Sequence, residues 1–294
     1  MIENIIDNYE YYKNISLKRY NTYKLDINCE YLVYPKTTNE LITLVKELKK
    51  QKIKYLILGN GSNVILAKPS FEVVIKLDKI NYIKIEDNII TAGAGVSLIK
   101  LSNLCMENGL NGLSFAGGIP GLLGASTAMN AGAYNEDMSS IVKEIKVLTP
   151  NLEIKTMTNQ ELEYSYRDSF LKRNKEYICL EVTLKLEYKD KEAIKNKMID
   201  RRNRRISSQP VNMPSAGSVF RNPPGLSSGK LIEDLGLKGY SIGGAQISEK
   251  HANFIINTGN ATYDDIISLI EYIQKQVKKK YNIDLILEQE IIRW

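Results

Sequence analysis

Histidine is almost missing from this sequence: His251 is the single one in 294 residues. A Ser-His-Asp arrangement therefore has one possible base, and a histidine-rich metal site is excluded. Cysteine is scarce as well. Cys29, Cys105 and Cys179 are widely separated. They show no metal-ligand spacing, and an odd, sparse set builds no disulfide framework. No metal is expected. The opening residues, MIENIIDNYEYYK, lack the basic start and apolar run of a secretory signal, so the expected location is cytoplasmic. Charge is absent from one long stretch, Asn108 to Asn135. That length could span a bilayer. The stretch is rich in glycine, however, with one proline and four asparagines, which is the composition of a loop-rich buried segment, and no membrane partner is expected.

What is present is ordinary for a globular protein: 43% hydrophobic and 25% charged residues. The length suffices for two or three domains with substantial cores. The net charge is +6, from 40 basic and 34 acidic residues. Lysine, isoleucine, asparagine and tyrosine are all abundant, as AT-rich codons produce, so the basic excess is weak evidence for nucleic acid. It serves a small anionic ligand equally well. The run RRNRR (Arg201–Arg205) has no interleaved aromatics, and no nucleic-acid partner is expected.

Periodicity sets out the elements. Thr37 and Glu40 form a capping box, and Leu41, Ile42, Leu44, Val45 and Leu48 follow at helical spacing. Tyr55–Leu58 reads as a buried strand, and Val73–Leu77, Tyr82–Ile85 and Ile89–Ala92 as short strands. A helix is expected from about Ser97 to Asn108, capped by Gly109. Strands flank Pro150-Asn151. A second box, Thr158 with Glu161, opens ELEYSYRDSF. Tyr177–Tyr188 alternates as a strand, and a charged helix from Asp190 to about Ser208 leads to a C-terminal unit. There a short helix (Gly229–Leu235), strands near Ala245 and at Phe254–Asn257, and a helix Tyr263–Tyr281 are expected. The apolar face of that helix carries Ile266, Ile267, Ile270, Ile273 and Val277. A final strand covers IDLILEQEII.

Two glycine-bearing loops could hold phosphate. GNGSN (Gly59–Asn63) follows a predicted strand. Its glycines permit positive φ, and consecutive amides can then form an anion nest. Ser62 and Asn63 add side-chain donors, although a plain β-turn uses the same residues. The position three after Gly61 is Val64, so the usual dinucleotide fingerprint G-x-G-x-x-G is not met. In the second loop Gly117, Gly118, Gly121 and Gly124 fall within eight residues, with Pro120 among them and Gly132 soon after. Either tight backbone packing or a flat or phosphate-bearing ligand against the backbone accounts for them.

The segments GNGSNV, SFAGGIPG, MNAGAY, YSYRDSF, PSAGSVFRNP, GKLIEDLGLKG, GGAQISEKHANFIIN and LEQEI follow one another in this chain. In that order they resemble the MurB family, the UDP-N-acetylenolpyruvoylglucosamine reductases of peptidoglycan synthesis, from about Tyr20 to Ile292. The resemblance implies an α+β fold. A PCMH-type FAD-binding part of two subdomains (1–80 and 81–189) precedes a C-terminal α+β substrate-binding domain (190–294). The chain has no room for the tyrosine-bearing insertion of type I enzymes and looks more like type II. Departures are few. GASTAMNAGAY stands where many relatives have a second glycine and bulkier residues, EIIRW lacks the usual glycine after the last strand, and Arg221 replaces a common lysine.

The resemblance further implies non-covalent FAD, NADPH as hydride donor, UDP-N-acetylglucosamine enolpyruvate as substrate and a monomeric enzyme. It assigns FAD to Gly59, Asn60, Gly61, Ser62, Asn63, Gly117, Gly118, Ile119, Pro120, Gly121, Gly124, Ala125, Ser126, Gly132 and Ala133. Arg167 matches the carboxylate-binding arginine, and a guanidinium can engage both carboxylate oxygens; read alone, Arg167-Asp168 is a surface turn. Glu290 matches the catalytic glutamate, with Glu288 on the same strand face by period two; read alone, it is a solvated strand edge. A carboxyl stabilising developing charge there needs burial to raise its pKa. Ser218 matches the proton donor, and Gly217 before it allows close backbone approach; read alone, it is a loop-capping hydroxyl. Tyr166, Arg221, Asn222 and His251 fall at substrate-binding positions. A PCMH-type flavin oxidase and a non-catalytic nucleotide-sugar binding module are the competing classes. No histidine or cysteine stands in the glycine-rich loops for a covalent flavin, and Arg167, Ser218 and Glu290 are all present.

Overall fold

The computed structural model describes residues 2–293. They form two compact units whose segments interleave along the chain. Unit one takes the residues up to Lys13, then Tyr31–Gly59 and Glu72–Asn203; unit two takes Asn14–Glu30, Asn60–Phe71 and the chain from Arg204 onward.

In unit one, a five-stranded antiparallel sheet has the order Ile154–Thr158, Val142–Leu148, Ile178–Lys185, Ile89–Gly93, Ile83–Glu86. A four-stranded sheet has the order Glu10–Ser16, Asn28–Tyr34, Ser70–Lys76, Tyr55–Leu58, and its last pair is parallel. Three of those strands begin or end in residues of unit two. One continuous apolar core runs from Ile5 to Leu186 and takes the inner residues of both sheets and of the two helices Thr38–Lys50 and Leu98–Glu107. Leu41, Leu44, Val45 and Leu48 are the buried stripe of the first helix. Thr37 Oγ1 accepts from the Glu40 N–H, while the Glu40 carboxylate accepts from Lys36 rather than from Thr37. Ser97 caps the second helix, and Gly109 just past its end has φ +69. Both helices lie where the periodicity puts them.

Unit two is built from shorter pieces. A three-stranded antiparallel sheet has the order Ser241–Ile242, Ala245–Ile247, Ile255–Asn257. The helix Tyr263–Tyr281 carries a full capping box, Thr262 with Asp265. Its buried stripe is Ile266, Leu269, Ile270, Ile273 and Val277. Leu269 takes the place expected of Ile267, because the i+3 position continues the stripe and i+1 rotates about 100° off it. The chain ends in a parallel pair, Glu290–Ile292 with Val64–Leu66.

Two elements differ from the sequence expectation. The final strand covers Glu290–Ile292 alone, not the whole of IDLILEQEII. Leu287 makes one isolated bridge to Phe220, and the Ile286 carbonyl accepts from Arg221, so this stretch runs beside an irregular segment instead of entering a ladder. The Thr158–Glu161 box forms reciprocally, yet it opens a single 3₁₀ turn, Gln160–Leu162, which stops at left-handed Glu163. Among the described residues no helix is long and apolar enough to cross a membrane.

Short strands leave many buried backbone groups without a ladder partner, and carboxamides take that place. Asn257, 3% exposed, accepts at Oδ1 from the Gly259 and Ala261 amides and donates from Nδ2 to the Tyr23 carbonyl. Asn257→Ala strands all three, so it should cost about 3 kcal/mol of unfolding free energy, at roughly 1–3 kcal/mol per unpaired buried group. Denaturant titration reads this directly, and a loss under about 1 kcal/mol would show that water replaces the carboxamide.

Candidate active site

The glycine loop Gly59–Asn63 leaves the strand Tyr55–Leu58. In unit one, the Gly59 carbonyl accepts from Lys76 Nζ. Lys76 is 3% exposed; desolvation lowers its pKa, opposed by Asp78 at 3.3 Å. In unit two, Gly61 has φ +61, and a Cβ on it would stand 2.6 Å from the Tyr20 carbonyl oxygen and 2.7 Å from Asn21 Cα. Its carbonyl accepts from the Thr22 N–H and hydroxyl. Neither the Gly61 nor the Ser62 N–H has a protein acceptor among the described residues. Two successive donors of this kind suit a phosphate. The Asn63 carboxamide is already engaged in unit two, donating to the Glu288 carbonyl at 3.1 Å.

The second glycine loop lies in unit one. Ser114–Gly118 forms a 3₁₀ turn and Leu123–Ala128 a short helix. A Cβ on Gly124 would come 2.7 Å from Ala94 Cβ, and one on Gly132 would come 2.4 Å from the Glu136 carbonyl oxygen. The protein's own close packing therefore requires glycine at Gly61, Gly124 and Gly132. That is one of the two explanations the sequence leaves open. Gly59 is less crowded, with Ala125 Cβ at 3.4 Å. Ala125 and Pro120 are exposed, Gly117, Gly118, Ile119 and Ala133 half-buried, and Gly121 and Ser126 buried.

Arg167, also in unit one, sits at φ +56 in a tight turn closed by paired Ser165 and Asp168 backbone bonds of 3.1 Å each. Left-handed backbone at a non-glycine residue costs about 1 kcal/mol. What it achieves is direction. The guanidinium donates to the Asn130 and Gly132 carbonyls and lies 5.1 Å from the ring centre of exposed Tyr166. The two residues do lie in a turn, and the Asp168 carboxylate in it is engaged by Arg173. Arg201 of the RRNRR run bonds Glu136 and Ser114 and packs on the Tyr134 ring. Arg201 and then Lys197 hold the Glu136 pKa down to about 2.

Unit two brings together three of the sequence-marked stretches. The segment Ala216–Arg221 runs beside Ile286–Gln289. Glu288 N–H donates to the Val219 carbonyl, and Arg221 N–H to the Ile286 carbonyl, both at 2.9 Å. Asn253, 4% exposed, fixes the same segment through bonds to Val219 and Phe220. Gly217 has φ +76, and an added Cβ would meet nothing closer than the Ser62 carbonyl oxygen at 3.9 Å. Its left-handed backbone calls for glycine, and no protein neighbour crowds that side of it. Ser218 follows, half-buried. Glu290 N–H donates to the Asn63 carbonyl at 2.9 Å, and the Glu290 side chain is half-exposed. Glu288 precedes the strand instead of lying in it.

The remaining substrate candidates serve local structure as well. The Asn222 carboxamide accepts from Ser228 N–H at 3.0 Å, at the start of the helix Ser228–Glu233. His251 Nδ1 accepts from Asn253 N–H at 3.2 Å, and burial lowers its pKa. This leaves a neutral imidazole with its proton on Nε2. Sequence reasoning missed Tyr23, Gln289, Asn253 and Lys76. All four are buried polar groups, and within apolar runs their partners leave no periodic signal.

Family profiles match both ends of this arrangement. A FAD binding domain matches residues 29–158, and the C-terminal domain of UDP-N-acetylenolpyruvoylglucosamine reductase matches 209–292. The reductase of Caldanaerobacter subterraneus subsp. tengcongensis is 44% identical over 292 residues, 99% of this chain and 96% of that one. The chain belongs to the UDP-N-acetylenolpyruvoylglucosamine reductase family. The Bacillus subtilis reductase is 40% identical over 281 residues, 95% of this chain and 93% of its own. The crystal structure of the Thermus caldophilus reductase (MurB) is 31% identical, with a TM-score of 0.81 over 97% of this chain and 99% of that one. Members of the family are FAD-containing oxidoreductases, with the α+β fold described above. Gly61→Val should therefore yield colourless protein. The branched side chain meets the Tyr20 carbonyl and Asn21 and distorts the loop itself. The 450 nm absorbance of the purified variant checks this, and full flavin content would remove the loop from the cofactor site.

Proposed function

We propose that this chain reduces UDP-N-acetylglucosamine enolpyruvate to UDP-N-acetylmuramate for peptidoglycan synthesis, with NADPH as hydride donor, as a cytoplasmic monomer. The observation that carries the reading is the junction in unit two. Ser218, on its left-handed glycine, is tied through Val219 and Glu288 to the strand that starts at Glu290. In this reading 1–80 and 81–189 are the FAD-binding subdomains and 190–294 binds substrate. FAD is held non-covalently by Gly59–Asn63, Gly117–Gly121, Gly124–Ser126 and Gly132–Ala133; its ring supplies a hydride carrier between nicotinamide and substrate.

The roles follow from where charge and protons must go. Hydride addition at the terminal alkene carbon leaves an enediolate on the substrate carboxylate. Arg167 meets that carboxylate with a planar pair of donors. The rigid turn and the carbonyls of Asn130 and Gly132 hold the guanidinium before substrate arrives. Glu290, when protonated, donates to the same group as charge develops. Ser218 Oγ–H gives its proton to the neighbouring carbon, and Oγ recovers one from water. A hydroxyl is a weak acid in water, so this transfer works only against a strongly basic carbon held close by. Tyr166, Arg221, Asn222 and His251 bind the nucleotide-sugar.

Two substitutions test the roles separately. Ser218→Ala should leave flavin bleaching by NADPH near wild type in stopped flow. Reoxidation by the enolpyruvyl substrate should slow by about 10²–10⁴, the range for a positioned acid. Normal reoxidation would exclude Ser218 as donor, and equal slowing of both half-reactions would point to misfolding. Arg167→Ala should lower turnover by about 10²–10³ with flavin retained; unchanged steady-state turnover would return Arg167 to an ordinary turn residue.

A further inference from the structure

Gln289 lies between the two acidic residues of L-E-Q-E-I and is 3% exposed. Its Nε2 donates to the carbonyls of Ala216 and Gly217, each at 3.1 Å. Its Oε1 accepts at 3.0 Å from the hydroxyl of Tyr23, which has no exposed surface. Burial raises the Tyr23 pKa, so that hydroxyl remains a neutral donor throughout the working pH range. All three residues belong to unit two.

The two carbonyls belong to the peptide planes on either side of Gly217. Fixing both planes fixes φ and ψ of that residue. Glycine is the residue whose dihedrals are otherwise softest, and φ there is +76. The direction in which Ser218 leaves the turn is set by these two angles. An apolar side chain would fill the same space without holding either plane. A carboxamide also has two faces, and the Tyr23 hydroxyl decides between them: with Oε1 engaged, the amide N–H groups must point at the carbonyls. On the other side of Gln289, the Glu290 N–H is anchored to Asn63.

We propose that Gln289 is a positioning residue for proton delivery. It locks Gly217 and thereby aims Ser218 relative to the Glu290 strand, and Tyr23 sets the orientation of the carboxamide. The inference rests on the reading of Ser218 as proton donor.

The test is a double-mutant cycle on the FAD-loaded enzyme. Gln289→Met and Tyr23→Phe are each made in the wild-type chain and in Ser218→Ala, and the half-reactions are followed separately by stopped flow. Gln289→Met should slow reoxidation by the enolpyruvyl substrate about 10–100-fold, the effect of misplacing a reacting group by around an ångström. Tyr23→Phe keeps the ring and should slow it roughly 3–10-fold, the worth of one net hydrogen bond. Flavin content and bleaching by NADPH should stay near wild type. In the Ser218→Ala chain neither substitution should slow reoxidation further, because the group being aimed is gone. If Ser218→Ala is slow and the two substitutions still exert their full effect on top of it, the positioning role is overturned and the proton-donor reading stands. If Ser218→Ala alone reoxidises normally, the donor reading fails and the positioning role fails with it. Should Gln289→Met not fold, Tyr23→Phe decides by the same cycle. Flavin loss with equal slowing of both half-reactions in Tyr23→Phe would mean a structural role alone, and would overturn the proposal.

Discussion

A buried backbone group must have a hydrogen-bond partner, and in unit two regular ladders are too short to supply them. Its longest strands have three residues apart from the ends shared with unit one. Carboxamide side chains do the work of missing strands. Asn21 bonds the Leu17 and Leu25 backbone, Asn253 the N–H and carbonyl of Phe220, Asn257 the Gly259–Ala261 turn and Tyr23, and Gln289 the Ala216–Gly217 peptides. All four are at most 4% exposed. An amide is suited to this because it carries both a donor and an acceptor with no net charge, so its burial avoids the large desolvation cost of an ion. The irregular segments that carry Ser218 and Glu290 hold their shape for this reason.

Local physics makes much of the fold legible in the amino-acid sequence. The helix Thr38–Lys50 follows from Thr37 as cap and from the spacing of Leu41, Leu44, Val45 and Leu48. The helix Tyr263–Tyr281 was readable to both ends, since it is long and strongly periodic. What escaped is equally physical. Glu10–Ser16 lies at a sheet edge, and none of its side chains is buried, so it shows no clean alternation of apolar and polar residues. The apolar residues before Glu290 suggest a longer strand. Leu285 is indeed buried, but its neighbours bond an irregular segment that no alternation can reveal.

The candidate site divides along the same line. The resemblance carried by motifs in order implied Arg167, Ser218 and Glu290, each of which has an ordinary structural reading when taken alone; only the glycine loops stand out by composition. The sequence could not say why each glycine was there. At Gly61, Gly124 and Gly132 the cause is a protein neighbour under 3 Å from the missing Cβ, while at Gly217 it is the backbone angle. Nor could it distinguish Gln289 or Tyr23 from any other polar residue, since their meaning lies entirely in partners far away in the chain. Arg167 carries a similar lesson. Its turn geometry, strained for an arginine, becomes visible in dihedral space and not in the letters YSYRDSF.

The interleaving of the units has a consequence for synthesis. The hydroxyl of Tyr23 meets Gln289 across 266 positions, and Val64–Leu66 pairs with the last strand of the chain. Residues 14–30 and 60–71 leave the ribosome early, yet Gln289 and Glu290–Ile292, their partners, are made only much later. At roughly 5–20 residues per second, these early segments wait ten seconds or more with apolar residues such as Leu25, Ile27, Ile65 and Leu66 uncovered. Unit two thus closes only once residues 289–292 have been made, and a nascent chain that has not reached residue 289 lacks the partner of Tyr23. Each newly made molecule passes through a window in which chaperones and proteases see it as unfinished.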